Sequence, residues 1–221
     1  MLLDLILPQR CLVCARPGAQ VCAECRTALR RVVPPLCERC GTPTAWPVER
    51  CAECSGRRLA FGCARSAVEY DDPVRSIVAA WKERGLRRLA DWAAAVVAEV
   101  LPRPVAAAVC WVPADRDRRL KRGHHAAERL AAALATAWEL PSPPLLARRG
   151  SSSPQRGMSR EARRRNVADA FVPKGAVPAR IVLVDDVFTT GATANAAASA
   201  LRRGGAGHVE VVTFARTIRI R

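Results

Sequence analysis

Aromatic side chains are scarce in this chain. Its 221 residues include one Tyr, four Phe and five Trp, 5% in all, so the core must be aliphatic and built from Ala, Val and Leu. Lysine is nearly missing: the basic complement is 33 Arg and 3 Lys, beside 41 Ala. That skew reflects coding composition more than chemistry, so arginine abundance by itself says little. Acidic residues are in deficit, 20 against 36 basic ones, and the resulting charge of +16 is physical whichever base carries it. It favours anionic partners: nucleic acid, phosphorylated small molecules or an anionic membrane surface. No stretch reaches the ~20 apolar residues of a membrane span. The longest, Leu89 to Leu101, contains Asp91, Trp92 and Glu99. A signal peptide is not expected either, because Met1 to Leu7 is interrupted by Asp4 and runs straight into Cys11. The expectation is a cytoplasmic protein without membrane insertion, its thiols reduced.

In that setting clustered cysteines point to metal before disulfide. Nine of the ten lie in residues 1–63. Cys11-x-x-Cys14, Cys22-x-x-Cys25, Cys37-x-x-Cys40 and Cys51-x-x-Cys54 repeat one spacing four times. Two intervening residues let a tight turn aim both sulfurs at one ion, and two such knuckles complete a tetrahedral site with Zn–S near ~2.3 Å. Gly41, directly after Cys40, suits the left-handed turn these knuckles need. Redox dithiol chemistry is the alternative, but four pairs in a row exceed what a dithiol catalyst requires. Eight cysteines therefore read as two structural Zn²⁺ ions with no position left open for water, and the metal supplies folding energy that so short a segment lacks. Sequential pairing is the simplest choice: Cys11, Cys14, Cys22 and Cys25 on one ion, Cys37, Cys40, Cys51 and Cys54 on the other. Crossed pairings are not excluded by sequence. Cys63 and Cys110 lack partners at this spacing and read as small core residues.

Beyond residue 63 the chain alternates between strand and helix patterns. Strands are expected at Arg65 to Tyr70, Val105 to Val112, Leu145 to Arg149, Ile181 to Val184 and His208 to Arg216. Helices are expected from Asp72-Pro73, with Asp72 as cap, to about Arg84, then over Leu86 to Leu101, His124 to Leu140 and Thr193 to Arg203. Gly204 and Gly205 end the last helix; the run Gly204-Gly205-Ala206-Gly207 is no dinucleotide loop, since it closes a helix instead of opening one. Such alternation implies a parallel-rich α/β sheet.

The second strong signal is Ile181-Val182-Leu183-Val184-Asp185-Asp186-Val187-Phe188-Thr189-Thr190-Gly191-Ala192-Thr193. A buried strand ends in two carboxylates, and a small-residue loop then opens a helix. Ligands of α/β sheets bind outside the carboxyl ends of strands. Asp185 and Asp186 can accept hydrogen bonds from two vicinal hydroxyls. Thr189, Thr190, Gly191, Ala192 and Thr193 offer backbone N–H groups, hydroxyls and a helix N-terminus, an anion site suited to phosphate. A diol binder followed by a phosphate binder describes a ribose 5-phosphate; an acidic strand end with a Thr-capped helix is the plainer reading of either half alone.

Positive charge gathers nearby. Residues 111–175 hold 14 basic and 6 acidic side chains, or +8. Arg116, Arg118, Arg119, Lys121 and Arg122 follow a strand end and suit a pyrophosphate, a nucleic-acid backbone or plain solvent. Arg156, Arg160, Arg163, Arg164 and Arg165 lie in a Ser-, Pro- and Gly-containing stretch that suits a flexible loop or, equally, a plain surface helix. His124 and His125 open a helix, with no third ligand near enough in sequence to make a metal site.

The stretch at 181–193 resembles the PRPP signature of type I phosphoribosyltransferases, and with the cysteine-rich head nearly the whole chain resembles the ComF/GntX family. Other matching pieces are Tyr70-Asp71-Asp72-Pro73-Val74 leading to Lys82, Trp111-Val112-Pro113 running on to Arg122-Gly123, and Gln155 through Arg160 and Arg164 to Asn166-Val167 and Ala170-Phe171. The family's Arg-Gly-Phe-Asn-Gln-Ala is here Arg122-Gly123-His124-His125-Ala126-Ala127, without the Phe-Asn-Gln part. The resemblance implies a double zinc-ribbon domain over 1–62 and a type I phosphoribosyltransferase-like α/β domain over 63–221. It implies that Asp185 and Asp186 bind the ribose hydroxyls and Thr189 to Thr193 the 5-phosphate of PRPP, or of a phosphoribosyl-containing nucleotide, with Mg²⁺. Arg116, Arg118, Arg119, Arg122, Arg160 and Arg164 would face pyrophosphate or nucleic acid, the last two from a closing loop. It further implies a role in DNA uptake during competence, with single-stranded DNA and DNA-processing proteins as partners. The chain would then be a phosphoribosyltransferase, or a non-catalytic PRPP or nucleotide sensor that binds nucleic acid.

Overall fold

A computed structural model describes residues 9–114, 125–149 and 170–218. The head carries one short helix, α1 (Ala23–Thr27). Then follow β1 (Cys63–Glu69), α2 (Asp72–Glu83), α3 (Leu89–Val100), β2 (Ala108–Trp111), α4 (Ala126–Trp138), β3 (Leu146–Arg148), β4 (Phe171–Pro173), β5 (Arg180–Phe188), α5 (Ala192–Arg203) and β6 (His208–Arg216). Among the described residues β1, β6, β5 and β2 form, in that order, a four-stranded parallel sheet, and β3 and β4 pair antiparallel beside it. The expected parallel-rich α/β sheet is present.

Both faces of the sheet are covered, which is why its central strands are continuously apolar. On one face Val182, Val184, Val212 and Phe214 meet α2, α3 and α4. Phe214 takes two edge-on ring contacts there, with Trp81 at 6.5 Å and Trp92 at 5.8 Å. On the other face Ile181, Leu183, Val209 and Val211 meet the alanines of α5, among them Ala197, Ala198 and Ala200. An aliphatic, alanine-rich core follows from the composition, and the small side chains let α5 approach the sheet closely.

The cysteine-rich head straddles the β1 edge. Val21 and Leu29 join the core on the first face, whereas Cys37, Cys40, Cys54 and Phe61 join the second. Between them Arg30–Val32 runs antiparallel to β1: Arg31 bridges Val68, Val32 N–H donates to Ala67 O at 2.9 Å and Glu69 N–H to Arg30 O at 2.9 Å.

Several boundaries differ from expectation. Asp71, not Asp72, caps α2: its carboxylate accepts from Val74 N–H at 3.1 Å, while Asp72 pairs with Arg75 at 2.7 Å. Both fit the Asp-Asp-Pro pattern, and Asp71 is the one with extended backbone. Val105 is 78% exposed and lies outside β2, because the edge pairing with β5 begins only at Ala108. β5 in turn continues to Phe188, since β6 pairs along its whole length and keeps the two aspartates within the ladder. The three-residue β4 has no strand-length sequence signal. Gly41 adopts φ 70°, and a Cβ there would lie 2.2 Å from Ala64 O, so the glycine expected at this turn also admits β1.

Candidate phosphoribosyl site and metal centres

Consecutive residues of a strand face opposite ways, so the two carboxylates diverge. Asp186 lies on the side of α2 and pairs with Lys82, Oδ1 to Nζ 2.7 Å. Asp185 faces the α5 side in register with Thr213 of β6, which is in register with Ser66 of β1. The Ser66 and Thr213 hydroxyls are 2.7 Å apart, and Thr213 donates onward to Ala215 O at 3.0 Å. Ser66 and Thr213 are buried, and Asp185 is half-buried. Thr213 lines a cavity of about 20 Å³ together with Asp185, Gly191 and Thr193, room for roughly one water. Burial, and then the neighbouring Asp186 charge, push the Asp185 carboxyl up to about 8. Hydrogen bonding from Asp186 N–H at 2.9 Å and the Lys82 charge only partly offset this.

Past Phe188 the chain turns through exposed Thr189 and Thr190 into α5. Gly191 is the N-cap at φ 71°, and no side chain bonds the helix end from that position. Thr190 Oγ1 accepts from Ala192 N–H at 3.3 Å. The Phe188 ring lies so close over Gly191 that a Cβ there would sit 2.4 Å from it. Glycine is therefore required twice, by its dihedral and by this contact. The fold brings Asp185, Asp186, Thr189, Thr190, Gly191, Ala192 and Thr193 to one end of the sheet, with the first-turn amides and the helix dipole of α5 beside them.

Arg116, Arg118, Arg119, Arg122, Arg160 and Arg164 lie outside the described residues, as do Lys121, Arg156, Arg163, Arg165 and His124. The ends flanking 115–124 are described. His125, 9% exposed, caps α4 by accepting from Glu128 N–H at Nδ1, 3.1 Å, and its Nε2 meets the Ala114 amide. One imidazole thus draws the exit of β2 to the start of α4. The sequence shows it only as a departure from a motif, although a polar residue before Ala-Ala-Glu is itself a cap signal.

The eight knuckle cysteines form two quartets, Cys11/Cys14/Cys22/Cys25 and Cys37/Cys40/Cys51/Cys54, each with all four sulfurs within 4.8 Å of one another. Sequential pairing holds. Sulfur separations of 3.7 Å for Cys14–Cys22, 3.6 Å for Cys37–Cys54 and 3.4 Å for Cys40–Cys51 are close to the roughly 3.8 Å that tetrahedral Zn–S bonds of ~2.3 Å impose. Backbone amides of Cys22 and Cys51 point at Cys11 and Cys37 sulfur at 3.4 and 3.3 Å. Burial raises the Cys11 thiol, but hydrogen bonds from the backbone of Cys14, Cys22 and Val13 outweigh it and hold it at about 6. Cys37 is held at about 7 in the same way. Each quartet so contains one preferred first thiolate, the form that binds metal. Cys63 and Cys110 stand apart from the quartets: Cys110 is the core thiol expected, whereas Cys63 is half-buried and outside the core, and burial pushes Cys110 up to about 12 and Cys63 to about 11.

The second quartet adjoins the loop at 189–193. Arg216, at the end of β6, is 1% exposed. It donates from Nη1 to Cys40 O and from Nη2 to Thr42 Oγ1, both at 2.6 Å, and its guanidinium lies 5.3 Å from the centre of the Phe188 ring. Burial lowers its pKa, and the Cys40, Glu53 and Cys51 charges work against that. Sequence reasoning missed Arg216 and Thr213. Lys82 was legible only as part of the family resemblance.

Fold and site together define a class: a double zinc ribbon joined to a parallel α/β sheet. Residues 2–55 match the double zinc ribbon domain family. The DNA utilization protein YhgH of Salmonella typhi is 30% identical over 230 residues, covering 97% of this chain and 100% of that protein. Competence protein F of Haemophilus influenzae is 27% identical over 208 residues, 89% of this chain and 90% of that protein. Competence protein ComFC of Bacillus subtilis is 26% identical over 219 residues, 94% and 89% respectively. The chain belongs to this ComF/YhgH family. A looser likeness is to the glutamine PRPP amidotransferase of B. subtilis complexed with ADP and GMP, with TM-score 0.43 and 20% identity over 57% of this chain and 26% of that one. No helix among the described residues is long and apolar enough to cross a membrane.

Proposed function

We propose that the chain binds PRPP, or a nucleotide carrying the same phosphoribosyl group, at the β5–α5 junction, and that it serves DNA uptake or utilisation in the cytoplasm in association with single-stranded DNA. The observation that carries this reading is the run of Asp185 and Asp186 into the glycine N-cap of α5. A phosphate held at that helix end beside two carboxylates is repelled by them unless hydroxyls and a cation complete the site. Asp185 suits a hard cation such as Mg²⁺: burial and the Asp186 charge hold its carboxyl well above its usual range, and a bound cation would favour its ionised form. Mg²⁺ bound there with the pyrophosphate would neutralise the charge of the leaving group. Asp185 and Asp186 orient the ribose through its vicinal hydroxyls, and the amides at 191–193 hold the 5-phosphate. Arg116, Arg118, Arg119, Arg122, Arg160 and Arg164 supply positive charge for pyrophosphate or DNA phosphates. Transfer on such a site rests on positioning and electrostatics. In this reading residues 1–62 are the ribbon domain and 63–221 the phosphoribosyl-binding domain.

A sensor that binds without transfer is the second reading, favoured by the lack, among the described residues, of any that stands out as a general base. Incubation with PRPP and Mg²⁺, plus a panel of bases and single-stranded DNA, separates the two. Pyrophosphate release establishes transfer. Calorimetric binding with no release establishes the sensor. No binding overturns both.

A further inference from the structure

The second zinc ribbon is built into the wall of the phosphate loop. A cavity of about 100 Å³ lies between them, lined from the ribbon by Cys40, Glu53 and Arg57 and from the loop by Phe188, Thr189 and Thr190. The contact is not a loose apposition. Arg216 leaves the last strand and inserts into the ribbon, where it holds the carbonyl of Cys40, itself a member of the metal quartet, and the hydroxyl of Thr42. Thr42 lies in turn 3.2 Å from Cys40 sulfur and donates to Glu53 at 3.3 Å. On its other side the same guanidinium meets the Phe188 ring, and that ring meets Gly191, the N-cap of α5. Phe61, just past the ribbon, braces Phe188 from another direction, with ring centres 6.2 Å apart and nearly perpendicular. An ion in this quartet therefore fixes Cys40, Cys40 fixes Arg216, Arg216 fixes Phe188, and Phe188 sets how close the loop amides stand. The first quartet has no such connection among the described residues: it packs against the α2 side of the sheet.

We infer that Arg216 is a positioning residue through which the metal of the second ribbon, and not that of the first, holds the Thr189–Gly191 loop in its anion-binding geometry. The two ribbons are thus unequal: one belongs to the ligand site, the other does not. The inference rests on the phosphoribosyl reading for its consequence in binding, but not for its consequence in loop order.

The test compares the full chain with Arg216→Lys, Arg216→Met, the second-ribbon pair Cys51→Ser/Cys54→Ser and the first-ribbon pair Cys14→Ser/Cys25→Ser. Zinc content, circular dichroism and amide hydrogen exchange are read for each. With the Cys51/Cys54 pair and with Arg216→Met, exchange should accelerate at residues 191–195 while the 181–184 amides of β5 stay protected. The Cys14/Cys25 pair should leave 191–195 unchanged, and Arg216→Lys should fall between. Affinity for PRPP with Mg²⁺ should drop roughly 3- to 30-fold in the same order. Three results overturn the inference: equal acceleration from both ribbon pairs, no acceleration from Arg216→Met, or loss of protection throughout β5, which would make the second ribbon a general stabiliser. If the wild type binds no PRPP, the phosphoribosyl reading fails, while the exchange data still decide the role of Arg216.

Discussion

Lys82 Nζ stands 2.7 Å from Asp186 Oδ1, and this pair ties the last turn of α2 to the strand that carries the site. Both partners are largely buried, with side-chain exposures of 24% and 15%. Removing only the lysine leaves an uncompensated carboxylate, which costs more than losing the pair as a unit. Lys82→Met should destabilise the chain by about 2 kcal/mol, less than for a fully buried pair, and adding Asp186→Asn should restore part of it. A urea titration of the single and double variants reads both.

Asp185 should set a pH dependence of stability with an unusual sign. Its folded-state pKa is raised from 3.8 to about 8. As pH rises through that window the unfolded chain releases this proton first, so the group's contribution to stability falls between about pH 4 and 8. Asp185→Asn removes the effect. The variant should melt at least about 2 °C higher than wild type at pH 8, corresponding to about 1 kcal/mol at this chain length, and nearly equal to it at pH 4. Scanning calorimetry of the ligand-free protein checks this. The same change, combined with Asp186→Asn, should weaken PRPP binding at least roughly tenfold, because two charge-assisted hydrogen bonds are removed, with the zinc content unchanged.

Protein purified without added metal should carry two zinc ions per chain. Serine at Cys11, Cys14, Cys22 and Cys25 together should remove one and leave the other, as measured by elemental analysis or native mass spectrometry. Rebinding to the demetallated chain should slow as pH falls below about 6–7, where the first thiolates at Cys11 and Cys37 become protonated.

Single-stranded DNA affinity should fall steeply with salt. Changing Arg116, Arg118, Arg119 and Arg122 to Ala should flatten the log–log slope by roughly 0.7 for each DNA phosphate that is no longer neutralised. Affinity indifferent to salt, or no binding at low salt, removes DNA from the proposal.

What the sequence made legible is local. Four identical knuckles announced both metal quartets, and a Val/Ile/Leu run ending in Asp185 and Asp186 announced β5 and its turn. The boundaries of β6 match because its pattern is closed by Gly207 before it. The misses are long-range. Asp71 and Asp72 are equally good caps until the backbone selects one. Arg216 reads as an ordinary charge at a strand exit, since nothing near it in sequence reveals that Cys40 and Thr42 await it. Lys82 is marked in the sequence only by the family resemblance, because its partner Asp186 arrives from a strand about a hundred residues on. Thr213 interrupts an apolar strand, which signals a polar neighbour but not which one.

The pairing of Arg30–Val32 along β1 bears on how this protein can be taken apart. β1 is the last strand of the parallel sheet on that side, with β6 on its inner flank. A terminal strand with unpaired amides and carbonyls recruits other chains. Residues 30–32 give β1 a short antiparallel guard, so the head works as an edge protector as well as a metal carrier. A fragment beginning at residue 63 would keep every proposed ligand group of β5 and α5, yet forfeit that guard, and its β1 would be open to self-association.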